Sequence, residues 1–102
     1  MTDMYLADKA SYDACLKDNG DKLVVIDFTA TWCPPCKMIA PKYEAMAAEF
    51  TNAVLKKVDV DANAEAAQEA GISCMPTFKC YKGGKEVAKL EGANEAKLRE
   101  MI

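Results

Sequence analysis

Residues 23–29 read Leu-Val-Val-Ile-Asp-Phe-Thr, a nearly continuous apolar run rich in β-branched side chains. A short run of this kind predicts a central strand buried on both faces. Residues 54–60 predict another strand. Between the two, the period becomes helical. Ile39, Tyr43, Met46, Ala47 and Phe50 recur at spacings that bring them onto one helix face. Pro41 falls inside this pattern, where it removes a backbone donor and crowds the preceding turn, so a kink is expected.

The flanking segments are read in the same way. The short apolar stretch 4–7 predicts a first strand. Asp8 can cap a helix that ends before Gly20 and carries Tyr12, Cys15 and Leu16 on its inner face. Residues 64–70 are alanine-rich and predict a helix ended by Gly71. Residues 77–81 and 86–90 predict two strands joined by the hairpin turn Lys82-Gly83-Gly84-Lys85. Asn94 caps a last helix with Leu98, Met101 and Ile102 on its apolar side. The order is β-α-β-α-β-α-β-β-α. Its alternating first part implies parallel pairing through helical crossovers, and the late hairpin adds antiparallel strands.

Composition narrows the class of function. The chain has 102 residues, 51% of them apolar, which suits one domain over residues 1–102 with a proper core. The net charge is −3 and no basic stripe occurs, so nucleic acid is not an expected partner. No apolar run approaches the ~20 residues that span a bilayer, so no membrane partner is expected. The start, Met-Thr-Asp-Met, lacks the basic and apolar regions of a secretory signal, so a cytoplasmic location is expected.

The chemistry lies in the cysteines at 15, 33, 36, 74 and 80. Histidine is absent, which removes the Cys–His hydrolase dyad and the commonest imidazole metal ligand. Cys33 and Cys36 form a Cys-X-X-Cys between a strand and a helix. Free N–H groups and the dipole at the helix start favour a thiolate on Cys33, the reactive species in disulfide exchange. Cys36, one turn further in, can displace whatever Cys33 captures. Pro34 and Pro35 are tolerated in a first helical turn and stiffen the loop. A zinc site is the alternative, because Cys-X-X-Cys is half of a zinc motif. Its other half would have to be Cys74 and Cys80, whose spacing is not that of a zinc knuckle, so no metal is expected.

Further residues recur in a characteristic order: Val25-Ile26-Asp27-Phe28, Ala30-Thr31-Trp32-Cys33-Pro34-Pro35-Cys36-Lys37, Pro41, Lys57-Val58-Asp59-Val60-Asp61, Met75-Pro76-Thr77-Phe78, Gly83-Gly84 and Gly92-Ala93. Over nearly the whole chain this set resembles the thioredoxin family. The segment from Cys74 to Phe78 is similar to that of the eukaryotic cytosolic type. The resemblance implies a thioredoxin fold, a central five-stranded mixed sheet flanked by four helices on both faces. It implies a protein-disulfide reductase with no bound cofactor, working through a redox-active Cys33–Cys36 disulfide. The implied partners are thioredoxin reductase, drawing on NADPH, and disulfide-containing target proteins. Pro34 departs from the family's usual Gly-Pro pair, while Pro35 matches it. Both prolines would tune the potential.

Other roles are implied only by this resemblance. Asp27 interrupts an apolar strand, and from the residues alone it could be half-exposed near the strand end. The family makes it the buried base that takes the proton of Cys36. Lys57 could be an ordinary solvated lysine, or the charge that tunes Asp27. Pro76 reads as a strand-start proline, and the family makes it cis and faces it towards the cysteines. Cys74, Met75 and Pro76 would then pair with an extended target. Trp32 would supply a flat apolar rim. Cys74 could link two otherwise monomeric chains on oxidation, whereas Cys15 and Cys80 fall on apolar faces as inert thiols. A redox-inactive binding subunit on the same fold is the competing function.

Overall fold

The computed structural model describes residues 4–102. Its elements, in chain order, are α1 (Lys9–Asp18), β1 (Leu23–Thr29), α2 (Pro34–Glu49), β2 (Ala53–Asp59), α3 (Ala64–Ala70), β3 (Thr77–Lys82), β4 (Lys85–Glu91) and α4 (Glu95–Met101). The strands form one mixed sheet in the order β2-β1-β3-β4. β1 runs parallel to β2 and antiparallel to β3, and β4 returns antiparallel beside β3. The parallel pair needs a long connection, and α2 supplies it.

The sheet has four strands among the described residues, where five were expected. The stretch 4–7 meets β2 only through an isolated parallel bridge between Tyr5 and Lys57, with the Leu6 N–H donating to the Lys57 carbonyl at 2.8 Å. The reason lies in where its side chains go. Met4 packs with Val25 and Leu55 on one side of the sheet, and Leu6 packs with Val24 and Ile26 on the other. In a regular strand, residues two apart share a face, so a segment that sends them to opposite faces cannot continue as one.

Local chemistry sets the remaining boundaries. Asp8 Oδ1 accepts the Ser11 N–H at 2.8 Å, and Asn94 Oδ1 accepts the Lys97 N–H at 3.1 Å, which satisfies orphan donors at the starts of α1 and α4. Gly71 ends α3 at φ +72°, a left-handed conformation open to glycine. Gly83 and Gly84, at φ +62° and +78°, make the tight β3–β4 turn, where both central residues need positive φ. α2 continues through Pro41, losing one backbone donor without ending.

β1 is the spine of the core. Its alternate residues Val24, Ile26 and Phe28 face α1 and α3, where they meet Tyr12, Cys15, Val58, Ala66 and Tyr81. Val25 faces α2 and α4 and meets Ile39, Tyr43, Met46, Phe78, Cys80 and Leu98. Burying an aliphatic or aromatic side chain of this size contributes about 1.5–3 kcal/mol. By the same alternation, Asp27 turns to the α2 side.

Candidate active site

The site is built where β1 gives way to α2. Cys33 is the N-cap of α2 in extended backbone, and Pro34 and Pro35 are the first two helical residues. Prolines have no N–H, so the first free helical donor is that of Cys36. It points at Cys33 Sγ, 3.3 Å away. The Cys33 carbonyl accepts the next donor, Lys37 N–H, at 3.1 Å. The helix start therefore directs its one unbonded N–H and its positive dipole end at a single sulfur. Cys33 and Cys36 are joined by a disulfide, with Cα atoms 5.2 Å apart. Both residues are buried, against Ala30, Val60 and Met75, while Trp32, Pro34 and Pro35 beside them are exposed.

A second segment closes on the disulfide from β3. The Met75–Pro76 peptide is cis. The Met75 carbonyl oxygen lies 3.7 Å from Cys33 Sγ. The Pro76 carbonyl accepts the Gly92 N–H at 2.9 Å, which ties the loop before α4 to the same place. Trp32 is 61% exposed, with its Nε1–H donating to Asp61 Oδ2 at 2.7 Å. Cys74 is an exposed free thiol, and its sulfur lies near Thr77 Oγ1 at 3.9 Å. Cys15 and Cys80 are buried free thiols. Burial pushes the Cys80 thiol up to about 11.

Within the sheet, Asp27 and Lys57 are register partners on β1 and β2. Asp27 is 2% exposed and Lys57 4%. Asp27 Oδ1 is buried with no hydrogen-bond partner in the protein. Burial raises the carboxyl to about 7, and the charge of Lys57 opposes that rise. The ammonium of Lys57 donates to Glu44 Oε2 at 2.8 Å and lies 5.4 Å from the centre of the Tyr5 ring. Tyr43, adjacent to Glu44, donates its hydroxyl to the Val25 and Lys56 carbonyls at 3.0 and 2.8 Å.

The structure thus gathers Cys33, Cys36, Pro34, Pro35, Met75 and Pro76 around one disulfide and places Asp27 beside Lys57 in the sheet. It sets Cys74 at the surface. Glu44 and Asp61 were not singled out from the sequence as site residues. Asp61 lies in the run quoted for the family resemblance, which was the available signal. Glu44 had no signal, because its contact with Lys57 depends on how α2 crosses the sheet. Among the described residues, no cluster of three or more His, Cys, Asp or Glu side chains is placed to hold a metal. No helix among the described residues is long and apolar enough to cross a membrane.

The family model described as Thioredoxin matches residues 3–102. This chain belongs to the thioredoxin family. It is 59% identical over 99 residues to the thioredoxin of Geodia cydonium, covering 96% of this chain and 93% of that protein. Thioredoxin-2 of Saccharomyces cerevisiae is 50% identical over 97 residues, covering 95% of this chain and 92% of that one. The X-ray structure of Fasciola hepatica thioredoxin superposes with a TM-score of 0.94 at 49% identity, covering 96% of this chain and 94% of that chain. As a thioredoxin with an intact Cys-X-X-Cys disulfide, the chain is a thiol–disulfide oxidoreductase that acts on protein disulfides.

Proposed function

We propose that the chain works as a general reductant of protein disulfides in the cytoplasm, with Cys33 as nucleophile and Cys36 as resolving thiol. The observation that carries this reading is the free Cys36 N–H aimed at Cys33 Sγ, which favours negative charge on that sulfur. In the reduced protein, the Cys33 thiolate attacks one sulfur of a target disulfide. A mixed disulfide forms and the target's other sulfur leaves as a thiolate. Asp27 takes the proton of Cys36, and the Cys36 thiolate attacks Cys33 Sγ. The second target sulfur leaves, and the two electrons have passed to the target as Cys33 and Cys36 become a disulfide.

The surroundings receive roles in the same reading. The backbone of Cys74, Met75 and Pro76 pairs with an extended target segment, so recognition is by main chain and tolerant of sequence. Trp32 provides the apolar rim, Pro34 and Pro35 set the stiffness of the loop and with it the potential, and Lys57 tunes Asp27. Residues 1–102 act as one domain of the eukaryotic cytosolic type, an electron carrier recycled by thioredoxin reductase and NADPH. A solved relative with a TM-score of 0.89 comes from work on thiol resolution in a yeast mitochondrial 1-Cys peroxiredoxin, which supports thiol-dependent proteins as targets. The chain is monomeric, and the exposed Cys74 is the thiol through which oxidation would join two copies.

The test is a pair of serine variants assayed for insulin reduction with thioredoxin reductase and NADPH. Cys33→Ser abolishes turnover, and Cys36→Ser accumulates a mixed disulfide with the target. Full activity in Cys33→Ser defeats the assignment.

A further inference from the structure

Lys57 is the nearest cation to Asp27 along the sheet, yet its ammonium bonds elsewhere. Nζ sits 2.8 Å from Glu44 Oε2, while Asp27 Oδ1 is buried and unpartnered. The Lys57 side chain is 5% exposed, so its direction is set by packing and by this ion pair. Glu44 itself is held in place. Its neighbour Tyr43 is fully buried and pinned by two hydrogen bonds to the β1 and β2 carbonyls. That anchoring leaves the next helical residue at the edge of the buried pocket, one-third exposed, facing Lys57.

We propose that Glu44 is a positioning residue for proton transfer at Asp27, holding the Lys57 ammonium outward so that the carboxyl keeps a high proton affinity. The proposal rests on the reading of Asp27 as the base for Cys36. A carboxyl that bonded Lys57 directly would ionise well below neutral pH and make a weak base. A carboxyl with no cation near it would stay protonated and accept nothing. An outward-held lysine gives the intermediate case, a group poised near the pH at which a thiol proton must be taken.

Other titratable groups lie on the elements packed against Asp27. α2 contributes Cys36, Tyr43 and Glu44, β2 contributes Lys57, and β3 contributes Cys80. Burial lifts both Tyr43 and Cys80 above their ordinary values, so they stay neutral through the working range. Lys56 and Lys79 are the register partners of Ile26 and turn to the α1 and α3 face. Arg99 on α4 is engaged with Glu49 and Glu95. Lys57 and Glu44 are left as the charges that set the proton affinity of Asp27.

The experiment follows the 13C shift of the Asp27 carboxyl against pH in the oxidised protein, where neither active-site cysteine can titrate. Glu44→Gln is expected to lower the midpoint by about one pH unit, as Lys57 turns inward. Glu44→Asp, which keeps the charge, should restore most of the original midpoint. In a Lys57→Met background, Glu44→Gln should shift the midpoint by much less. An unchanged or raised midpoint in Glu44→Gln overturns the proposal. So does an equal fall with and without Lys57, which would make Glu44 a distant charge and not a positioning group. These titrations involve no turnover, so they are independent of whether Asp27 deprotonates Cys36. That separate reading is tested by Asp27→Asn, which should slow resolution of the mixed disulfide.

Discussion

The hydroxyls of Tyr12 and Tyr81 meet 3.0 Å apart inside the α1 and α3 face, joining the first helix to the centre of the sheet. Their rings lie edge-on, with centroids 6.4 Å apart. Each hydroxyl is buried and relies on the other. Tyr81→Phe should therefore destabilise the fold by about 1–3 kcal/mol, because it leaves the Tyr12 hydroxyl without its partner. The double change with Tyr12→Phe should cost less than the sum of the two single changes. Urea unfolding of the three variants measures this. A strictly additive result would mean the pair contributes nothing jointly.

Asp27 makes stability depend on pH. Its folded value is about 7 against an ordinary 3.8, so the native state holds the proton more tightly than the unfolded chain does. The stabilisation is complete below the unfolded value and is lost as pH rises towards the folded one. At ~1.4 kcal/mol per pH unit, the buried carboxylate costs on the order of 4 kcal/mol above neutral pH. Asp27→Asn should thus be more stable than the parent at pH 8, with the gain fading towards pH 4. Thermal unfolding of the oxidised forms across that range is the measurement. A gain that grows on acidification contradicts the assigned shift.

Asn63 serves two elements at once. Its Oδ1 accepts the Ala66 N–H at 3.4 Å as the cap of α3, and its Nδ2 donates to the Leu6 carbonyl at 3.0 Å. Asn63→Ala should cost about 1–2 kcal/mol through the cap. It should also loosen the segment before α1. Amide exchange at Leu6, whose N–H bonds Lys57, should accelerate more than exchange in β1. Equal acceleration at both places would mean the segment is not anchored separately.

Gly71 offers a cleaner backbone test. A Cβ added there would meet nothing within 4 Å, yet φ is +72°. Gly71→Ala should therefore destabilise by about 1–2 kcal/mol through the left-handed conformation alone. A loss near zero in guanidinium unfolding would show that the loop relaxes to a different φ.

Much of this architecture could be read from patterning because the signals are local. The β1 run ends where Ala30 and the exposed Thr31 begin, and the strand occupies the predicted residues Leu23–Thr29. α3 likewise spans the predicted Ala64–Ala70, because an alanine run stopped by glycine has little alternative. The stretch 4–7 misled because apolar content does not say which side of a sheet each residue will meet. Lys57, which from the sequence could be a solvated lysine or a charge tuning Asp27, is buried and paired with Glu44 of α2, while Lys79 is buried and paired with Glu86 of the adjoining strand β4.

The sequence by itself determined that two cysteines stand three apart where a strand yields to a helix, with prolines occupying the helix's first two donor positions. Those features depend on neighbours in the chain and on backbone chemistry alone. Only the tertiary structure decided that Met75 O lies against Cys33, that the amino-terminal segment crosses the sheet edge, and that Glu44 pairs with Lys57. Each of these joins residues distant in the chain. Their distance and burial, which set the electrostatics of the site, follow from how α2 and β3 pack against β1 and β2.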